Sequence, residues 1–264
     1  MSDFSAVTKI ALIIEYDGTG YHGFQWQASQ PTVQAELERA VGQLTGEKLR
    51  VVAASRTDAG VHAKGQVVSF RTRSPLSEIT LVKGLNFYLP SDIAVKAAYR
   101  VEDSFHIQRA AVSREYHYYI WNQPARSPLG RGYTHHVSGQ LDLGRMNEGC
   151  QLLLGKHDLA SFASRTAGTV IKSTVRKVYR AGIEREGDLV VFKMVASSFL
   201  PHQVRNTVGM LIKVGLGRVS VAEFRSIMEA KKQGLAGPAA PACGLCLMRV
   251  NYPVPLGGEV NENL

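Results

Sequence analysis

The chain has 264 residues, of which 45% are hydrophobic and 20% charged, and this balance excludes intrinsic disorder as its main state. No window approaches the roughly 18 apolar residues that a membrane span needs, and the first residues resemble neither a secretory signal nor a transit peptide. Three cysteines exclude a disulfide scaffold and favour a reducing, cytoplasmic location. The net charge of +9 favours a polyanionic partner such as nucleic acid, with a merely basic enzyme as the alternative.

The first half of the chain predicts alternating strands and helices. Thr32 can begin a helix that Gly46 ends, and Ser77 can begin a second one. Strands are expected on either side of these helices, at 9–16, 48–54, 65–71 and 92–99. The resulting order of strand, helix, strand, strand, helix, strand is typical of a ferredoxin-like unit.

The second half, which begins near residues 100–110, predicts a similar but looser arrangement. Its expected strands are 112–121, a hairpin of 169–184 and 188–198, and a closing strand at 245–252. Three helices are expected. The first follows Asp142, and the second has an apolar face formed by Val204, Val208, Leu211 and Ile212. The third begins with the capping box of Ser220 and Glu223. The Gly- and Pro-rich segment 233–244 predicts a loop. The whole chain is therefore expected to have an α+β fold.

The most unusual polar segment is Ser55-Arg56-Thr57-Asp58-Ala59-Gly60-Val61-His62-Ala63. It lies between two apolar strands and combines a cation, hydroxyls, a carboxylate and an imidazole. The small residues after Asp58 leave its carboxylate accessible. A simple Asx-type turn that leads into a strand is the alternative interpretation.

The strand around Arg114-Glu115-Tyr116-His117-Tyr118 places Arg114, Tyr116 and Tyr118 on one face. Aromatic side chains beside an Arg are typical of sheets that stack unpaired RNA bases. The alternative is a face whose aromatic side chains pack in the core.

Arg205 falls near the start of an apolar-faced helix, where a partly buried guanidinium requires a carboxylate partner such as Asp58. The alternative is a solvated helical Arg. Cys243 and Cys246 have redox or zinc spacing, but they lack a second pair, and we interpret both as packing thiols.

The segment Arg56-Thr57-Asp58-Ala59-Gly60-Val61-His62-Ala63 resembles the active-site motif of the tRNA pseudouridine synthase A family. Three further blocks resemble the same family in the same order along the chain. They are Tyr16-Asp17-Gly18-Thr19 with the following Tyr21 and Gly23-Phe24-Gln25-Trp26-Gln27; Arg114-x-Tyr116-x-Tyr118; and Phe199-Leu200 with Val204-Arg205-Asn206 and Gly209. The resemblance extends from about residue 8 to residue 252.

The resemblance implies a fold, a reaction and partners. It implies two ferredoxin-like (RRM-like) units, 8–106 and 107–252, whose antiparallel sheets flank a central basic active-site cleft. It implies isomerisation of uridine to pseudouridine in tRNA, at the three positions on the 3′ side of the anticodon stem and loop. It also implies a homodimer that uses no cofactor and no metal.

The resemblance also implies roles for individual residues. Asp58 matches the catalytic Asp in the N-terminal unit, and Arg205 in the C-terminal unit matches the Arg that pairs with it. Tyr116 matches the Tyr that stacks on the target base. Arg56 matches an Arg implicated in displacing the target nucleotide, and Arg114 is a further candidate substrate contact on the tyrosine strand.

The sequence departs from the family at one candidate RNA contact. The family commonly has Phe-His-Ala-Arg before the tyrosine strand, whereas this chain has Phe105-His106-Ile107-Gln108 with Arg109 one position later.

Two other functions also fit parts of the sequence. A non-catalytic RNA-binding protein would account for the charge and the tyrosine strand, and a basic metabolic enzyme would account for the fold class.

Overall fold

A computed structural model describes residues 7–164 and 171–257 of the chain. The chain divides into two compact units: unit 1 comprises Met1–Val112 and Leu247–Leu264, and unit 2 comprises Ser113–Cys246. Both units combine helices with an antiparallel sheet. The longest helices in the described ranges have 13 residues, and none of those helices is long and apolar enough to cross a bilayer.

Unit 1 follows the predicted order of elements. The order is β1 (Thr8–Tyr16), α1 (Val33–Thr45), β2 (Val52–Ala53), β3 (His62–Thr72), α2 (Glu78–Tyr88) and β4 (Ile93–Val101). The strand β1 lies between β3 and β4 and is antiparallel to both. Its Ile10, Leu12 and Ile14 are at most 1% exposed, so the central strand forms part of the core of this unit.

The predicted helix ends of unit 1 are confirmed. Thr32 Oγ1 accepts a hydrogen bond from Ala35 N at the start of α1, and Gly46 ends that helix with a positive φ of 75°. Ser77 caps α2 in the same way, by accepting from Thr80 N. Each side chain satisfies an N–H that has no partner within the helix.

The strand predicted at 48–54 is much shorter than expected. Only Val52 and Ala53 pair with β3. The main-chain N–H of Val51 instead donates to the Glu38 carboxylate of α1, at 2.9 Å. A side chain from a neighbouring helix therefore replaces the sheet partner before β2 begins.

Unit 2 begins with β5 (Ser113–Trp121), β6 (His135–His136), α3 (Leu143–Leu152) and β7 (Gly155–Asp158). It continues with β8 (Val175–Glu186), β9 (Leu189–Ala196), α4 (Gln203–Gly215) and α5 (Val221–Glu229). The antiparallel strands run in the order β5, β9, β8, β7, and the short β6 pairs with β5 in parallel. The core includes Tyr118, Phe162, Phe192 and Phe224, each fully buried.

The helices predicted in unit 2 are confirmed. The predicted hairpin is present, but its first strand begins only at Val175, and the predicted loop 233–244 ends in a short 3₁₀ helix, Ala242–Gly244. Residues 169 and 170 of the expected hairpin lie outside the described residues. The capping box of Ser220 and Glu223 is present at the start of α5. The short strands β6 and β7 are missing from the predictions because His135–His136 and Gly155-Lys156-His157-Asp158 lack alternating apolar residues.

The last strand, β10 (Leu245–Asn251), lies beside β3, and its residues from Leu247 onwards belong to unit 1. Tyr252 Oη donates to Ile107 O at 2.9 Å in the same unit. The division between the units thus differs from the predicted ranges 8–106 and 107–252. Residues 107–112 and the residues from Leu247 onwards join the first unit because these contacts hold them there.

Candidate active site

Asp58 lies in a tight turn between β2 and β3 of unit 1. Val61 N donates to Asp58 O at 3.2 Å, and Gly60 has a φ of +75°. A hydrogen bond across four residues with a positive φ at the third is typical of a type II turn, in which Gly is favoured at that position. The turn is therefore built by the predicted motif itself.

A second segment of unit 1 packs directly against this turn. Phe24 N donates to Thr57 O at 3.1 Å, and Gly60 N donates to Tyr21 O at 3.2 Å. Gly23 has a φ of +89°, and a Cβ on it would lie 2.8 Å from Thr57 O. A Cβ on Gly18 would overlap the carbonyl of Val61. Both glycines are needed because two stretches of main chain meet without space for a side chain between them.

Buried polar side chains hold the main chain just before Asp58. Gln66 is fully buried, and its amide donates to Ser55 O at 2.5 Å and accepts from Ser55 N at 3.3 Å. Tyr16 Oη and Thr57 Oγ1 lie 2.7 Å apart in a buried hydrogen bond. These bonds fix the residues on both sides of Arg56, so the position of the following carboxylate is also restricted.

The side chains of the turn differ in exposure. Thr57 is buried, Asp58 is half-buried, and Arg56 and Ala59 are exposed. His62 Nδ1 lies 3.1 Å from both Gly18 N and Asp17 Oδ1, so the imidazole of the motif links the turn to the loop that follows β1. The motif thus presents one partly accessible carboxylate on a rigid support.

Tyr116 lies on β5 of unit 2, opposite Met194 of β9. It is 5% exposed, and its ring meets that of Phe199 edge to face, with centroids 5.0 Å apart. Tyr118 on the same face is a core residue whose hydroxyl donates to Pro241 O at 2.8 Å. The core-packing interpretation therefore holds for Tyr118.

Arg114 is the third residue of this face and is 7% exposed. Its Nη1 donates to Ser197 O at 2.8 Å, beyond the end of β9. The burial and this bond give Arg114 a supporting role at the end of β9, and its contact with substrate stays a prediction.

Arg205 lies in the first turn of α4 and is half-buried. Its Nε donates to Ala240 O at 2.8 Å, and its own carbonyl accepts from Ala240 N at 3.0 Å. Because the guanidinium is held by a main-chain oxygen of a neighbouring loop, its orientation is fixed. Arg205 is therefore not the solvated helical Arg of the alternative interpretation.

The cysteines act as packing groups. Cys150 and Cys246 are buried, and Cys243 Sγ donates to Thr134 O at 3.5 Å. Burial raises the pKa of the Cys150 thiol to about 12, so this thiol stays neutral at physiological pH. Within residues 7–164 and 171–257, no group of three or more His, Cys, Asp or Glu side chains is arranged to hold a metal ion.

The sequence profile described as "tRNA pseudouridine synthase" matches residues 12–108 and 150–253. The chain belongs to this family. Members of the family isomerise uridine to pseudouridine, so the chain is an isomerase. Family membership decides against the non-catalytic RNA-binding protein and against the basic metabolic enzyme. Asp58, Arg56 and Arg205 fall inside the matched residues, whereas Tyr116 and Arg114 fall between them.

Relatives named tRNA pseudouridine synthase A cover nearly the whole chain. The relative from Methylacidiphilum infernorum is 43% identical over 94% of this chain and 97% of its own length. The relative from Acetivibrio thermocellus is 42% identical over 92% of this chain and 99% of its own length. The crystal structure of a Cbf5–Nop10–Gar1 complex aligns with 77% of this chain and 45% of its own at 12% identity, with a TM-score of 0.33 that is too low for a comparison of folds.

The structure divides the predicted residues between the two units and adds residues that the sequence analysis missed. Asp58 and Arg56 lie in unit 1, and Tyr116, Arg114 and Arg205 lie in unit 2.

The sequence analysis misses the supporting role of Gln66, because its partner Ser55 lies 11 positions earlier in the chain. No local pattern singles out Gln66, because β3 contains several other polar residues.

Proposed function

We propose that this tRNA pseudouridine synthase acts on uridines of the tRNA anticodon stem and loop, with Asp58 as the nucleophile and without a cofactor. The observation that carries the proposal is the turn at Asp58. Inside the matched range of the family, it holds one half-buried carboxylate between main-chain segments that leave no space for side chains.

The reaction needs a nucleophile but no electron carrier. Pseudouridine formation breaks the N1–C1′ bond, turns the base and joins C5 to C1′; the C5 proton is released to solvent and N1 takes up a proton, so the product is an isomer of uridine. No atom group leaves and nothing is oxidised, so a carboxylate that labilises the glycosidic bond is sufficient. Attack at C1′, attack at C6 and a glycal route are all compatible with an ionised Asp58.

Arg205 is proposed to keep Asp58 ionised. Burial disfavours the charged form of a carboxylate, and a neighbouring cation reverses this effect. The guanidinium of Arg205 is oriented by the hydrogen bond from its Nε to Ala240 O, and a guanidinium can bind a carboxylate through two of its N–H groups. This pairing requires the turn of unit 1 and the first turn of α4 to act together on one nucleotide.

Tyr116 is proposed to hold the base while it rotates between the two bonds. Its ring is oriented by the edge of Phe199, and a flat aromatic face stacks on a pyrimidine in any rotational position.

Arg56 is exposed beside Asp58. Arg56 is proposed either to occupy the gap that the extruded nucleotide leaves in the stack or to hold the phosphate of that nucleotide. Either contact offsets part of the few kcal/mol that extrusion of the nucleotide costs.

The proposed architecture is a pair of ferredoxin-like units with a basic cleft, assembled as a homodimer. The order of strands in unit 1, with β1 between β4 and β3 and with β2 paired to β3, supports this arrangement for that unit. A cytoplasmic location fits three free cysteines. The dimer is tested by sedimentation, which should give twice the 28.9 kDa of one chain.

The choice of uridines is tested with an unmodified tRNA transcript. After incubation with the enzyme, pseudouridines are mapped by carbodiimide labelling and reverse transcription. The proposal expects stops only on the 3′ side of the anticodon stem and loop. Stops in other arms of the tRNA, with none in the anticodon arm, would contradict it. A second transcript in which those uridines are replaced by cytidines serves as the control and should remain unlabelled.

A further inference from the structure

A cavity of about 530 Å³ opens on unit 1 and is lined by residues of four chain segments, none of which includes the Asp58 turn itself. Volumes of this size are typical of small-ligand sites. Its lining includes Lys9, Arg50, Arg71, His106 and Arg109, and no carboxylate is among its lining residues. The rest of the lining is formed by four apolar residues together with Ser69 and Gln108, so the cavity combines positive charge with a partly hydrophobic wall.

Lys9 is the residue that distinguishes this cavity from an ordinary basic surface. It is 9% exposed, and its Nζ donates to the main-chain oxygen of Asp103 at 3.1 Å. The carboxylate of Asp103 is hydrogen-bonded to Arg71, and the charge of Lys9 also helps to lower its pKa, so two cations share this one carboxylate. Within the described part of the chain, Lys9 forms no ion pair at contact distance. Lysines buried to this degree are almost always paired. A buried ammonium that no carboxylate contacts, in the wall of a cavity, therefore indicates an anionic ligand.

The other cations of the cavity fall into two groups. Arg71 and Arg50 are balanced by Asp103 at 2.6 Å and Glu38 at 3.3 Å. Arg109 is exposed at the opening and forms no ion pair among residues 7–164 and 171–257. Lys9 and Arg109 thus supply positive charge at two places in the same cavity without a carboxylate in contact with either.

We propose that this cavity binds a nucleotide of the substrate tRNA other than the target uridine, with its phosphate between Lys9 and Arg109. Its nucleoside lies against the apolar wall formed by Leu49, Val52 and Phe70. The inference rests on the proposed function for the identity of the RNA. Val52 and Asp58 are six residues apart, at most about 21 Å even in extended chain. About six phosphates of one duplex strand cover that distance, so the bound nucleotide lies near the target.

The test measures tRNA binding by two variants of the cavity and one control. Lys9→Met keeps the length of the buried side chain and removes its charge, and Arg109→Ala removes the exposed cation. Arg225→Ala removes an exposed Arg from α5 of unit 2 and serves as the matched control. Dissociation constants for an unmodified tRNA transcript are measured by filter binding at several salt concentrations, and kcat is measured at saturating tRNA.

Each cavity variant should raise the Kd about fivefold at 0.1 M salt and reduce the slope of log Kd against log salt by about 0.7 to 0.9, the loss of one phosphate contact. The control should change neither quantity, and its kcat should stay within about twofold of the wild-type value. An unchanged Kd and slope in Arg109→Ala, whose exposed site does not affect folding, would overturn the proposal. A wild-type enzyme that binds tRNA but forms no pseudouridine in the anticodon arm would instead contradict the proposed function.

Discussion

At the scale of single residues, the packing of main chain against the Asp58 segment requires two glycines, Gly18 and Gly23, because a Cβ on either would overlap main-chain atoms of that segment. The sequence predicts a turn there, because Asp-Ala-Gly is a turn-forming run. It does not predict the role of Gly23, because the atoms that exclude its Cβ belong to residues more than 30 positions away. The Asp58 turn can therefore be predicted from the sequence, whereas the packing of Gly23 that supports it cannot.

Gly23→Ala should lower both stability and activity. The added Cβ meets Thr57 O, and the φ of +89° is strained for any residue with a side chain. We expect a loss of about 1–3 kcal/mol in the free energy of unfolding and a larger fractional loss of kcat, because the carboxylate turn must shift. Gly20→Ala, where a Cβ meets nothing within 4 Å, is the control. Equal effects of the two substitutions in thermal melts and turnover assays would disprove the packing role.

Tyr116 should tolerate Phe and not Leu. The aromatic ring is the property required for stacking, which contributes about 1–3 kcal/mol per base, or roughly ten- to hundredfold in kcat/KM. Tyr116→Phe should keep most of kcat/KM, and Tyr116→Leu should lose it. Tyr133→Leu, at a 54% exposed tyrosine of the same unit, controls for the loss of a ring. Comparable kcat/KM values for the Phe and Leu variants would argue against a base platform.

At the scale of elements, caps and apolar periodicity predict helices well, and short polar strands are not predicted. The caps at Thr32, Ser77, Asp142 and Ser220 are all present. Each cap is local, since its partners lie within three residues. The strand β7 contains Gly155-Lys156-His157-Asp158 and forms because β8 offers it a ladder of hydrogen bonds, which no local pattern reports.

The capping box of α5 should make stability depend on pH. Hydrogen bonds from the Ser220 main chain, and then from its hydroxyl, hold the pKa of the Glu223 carboxyl below its usual value of 4.5. A lowered pKa in the folded state stabilises the fold above pH 4.5, and this contribution is lost as pH falls through the lowered pKa. The Tm difference between the wild-type protein and Glu223→Gln should therefore be largest at neutral pH and vanish in acid. A difference that is the same at both pH values would contradict this account.

At the scale of the whole molecule, the charge and the order of elements were predictable, and the division of the chain was less so. The net charge of +9 follows from composition alone and by itself favours a polyanionic partner such as RNA. The return of the chain end to unit 1 depends on contacts such as Tyr252 with Ile107, 145 positions apart. Such pairings depend on packing in three dimensions, which local sequence patterns do not contain.

The charge of the molecule should make tRNA binding strongly dependent on salt. If six or more phosphates are contacted, the Kd should rise by about three orders of magnitude or more between 50 and 200 mM salt. Filter binding with unmodified tRNA measures this directly, and kcat at saturation should change little. A Kd that changes less than about threefold over that range would show that the basic residues do not contact the RNA backbone.

The central claim is that the carboxylate of Asp58 performs the reaction, and its most direct test is Asp58→Asn. This substitution keeps the size of the side chain and removes the negative charge. Tritium release from tRNA that carries C5-labelled uridine reports the reaction without further reagents. We predict that the variant binds tRNA with a Kd within about twofold of wild type and releases no tritium above background. Release at a rate close to that of the wild-type enzyme would contradict the account.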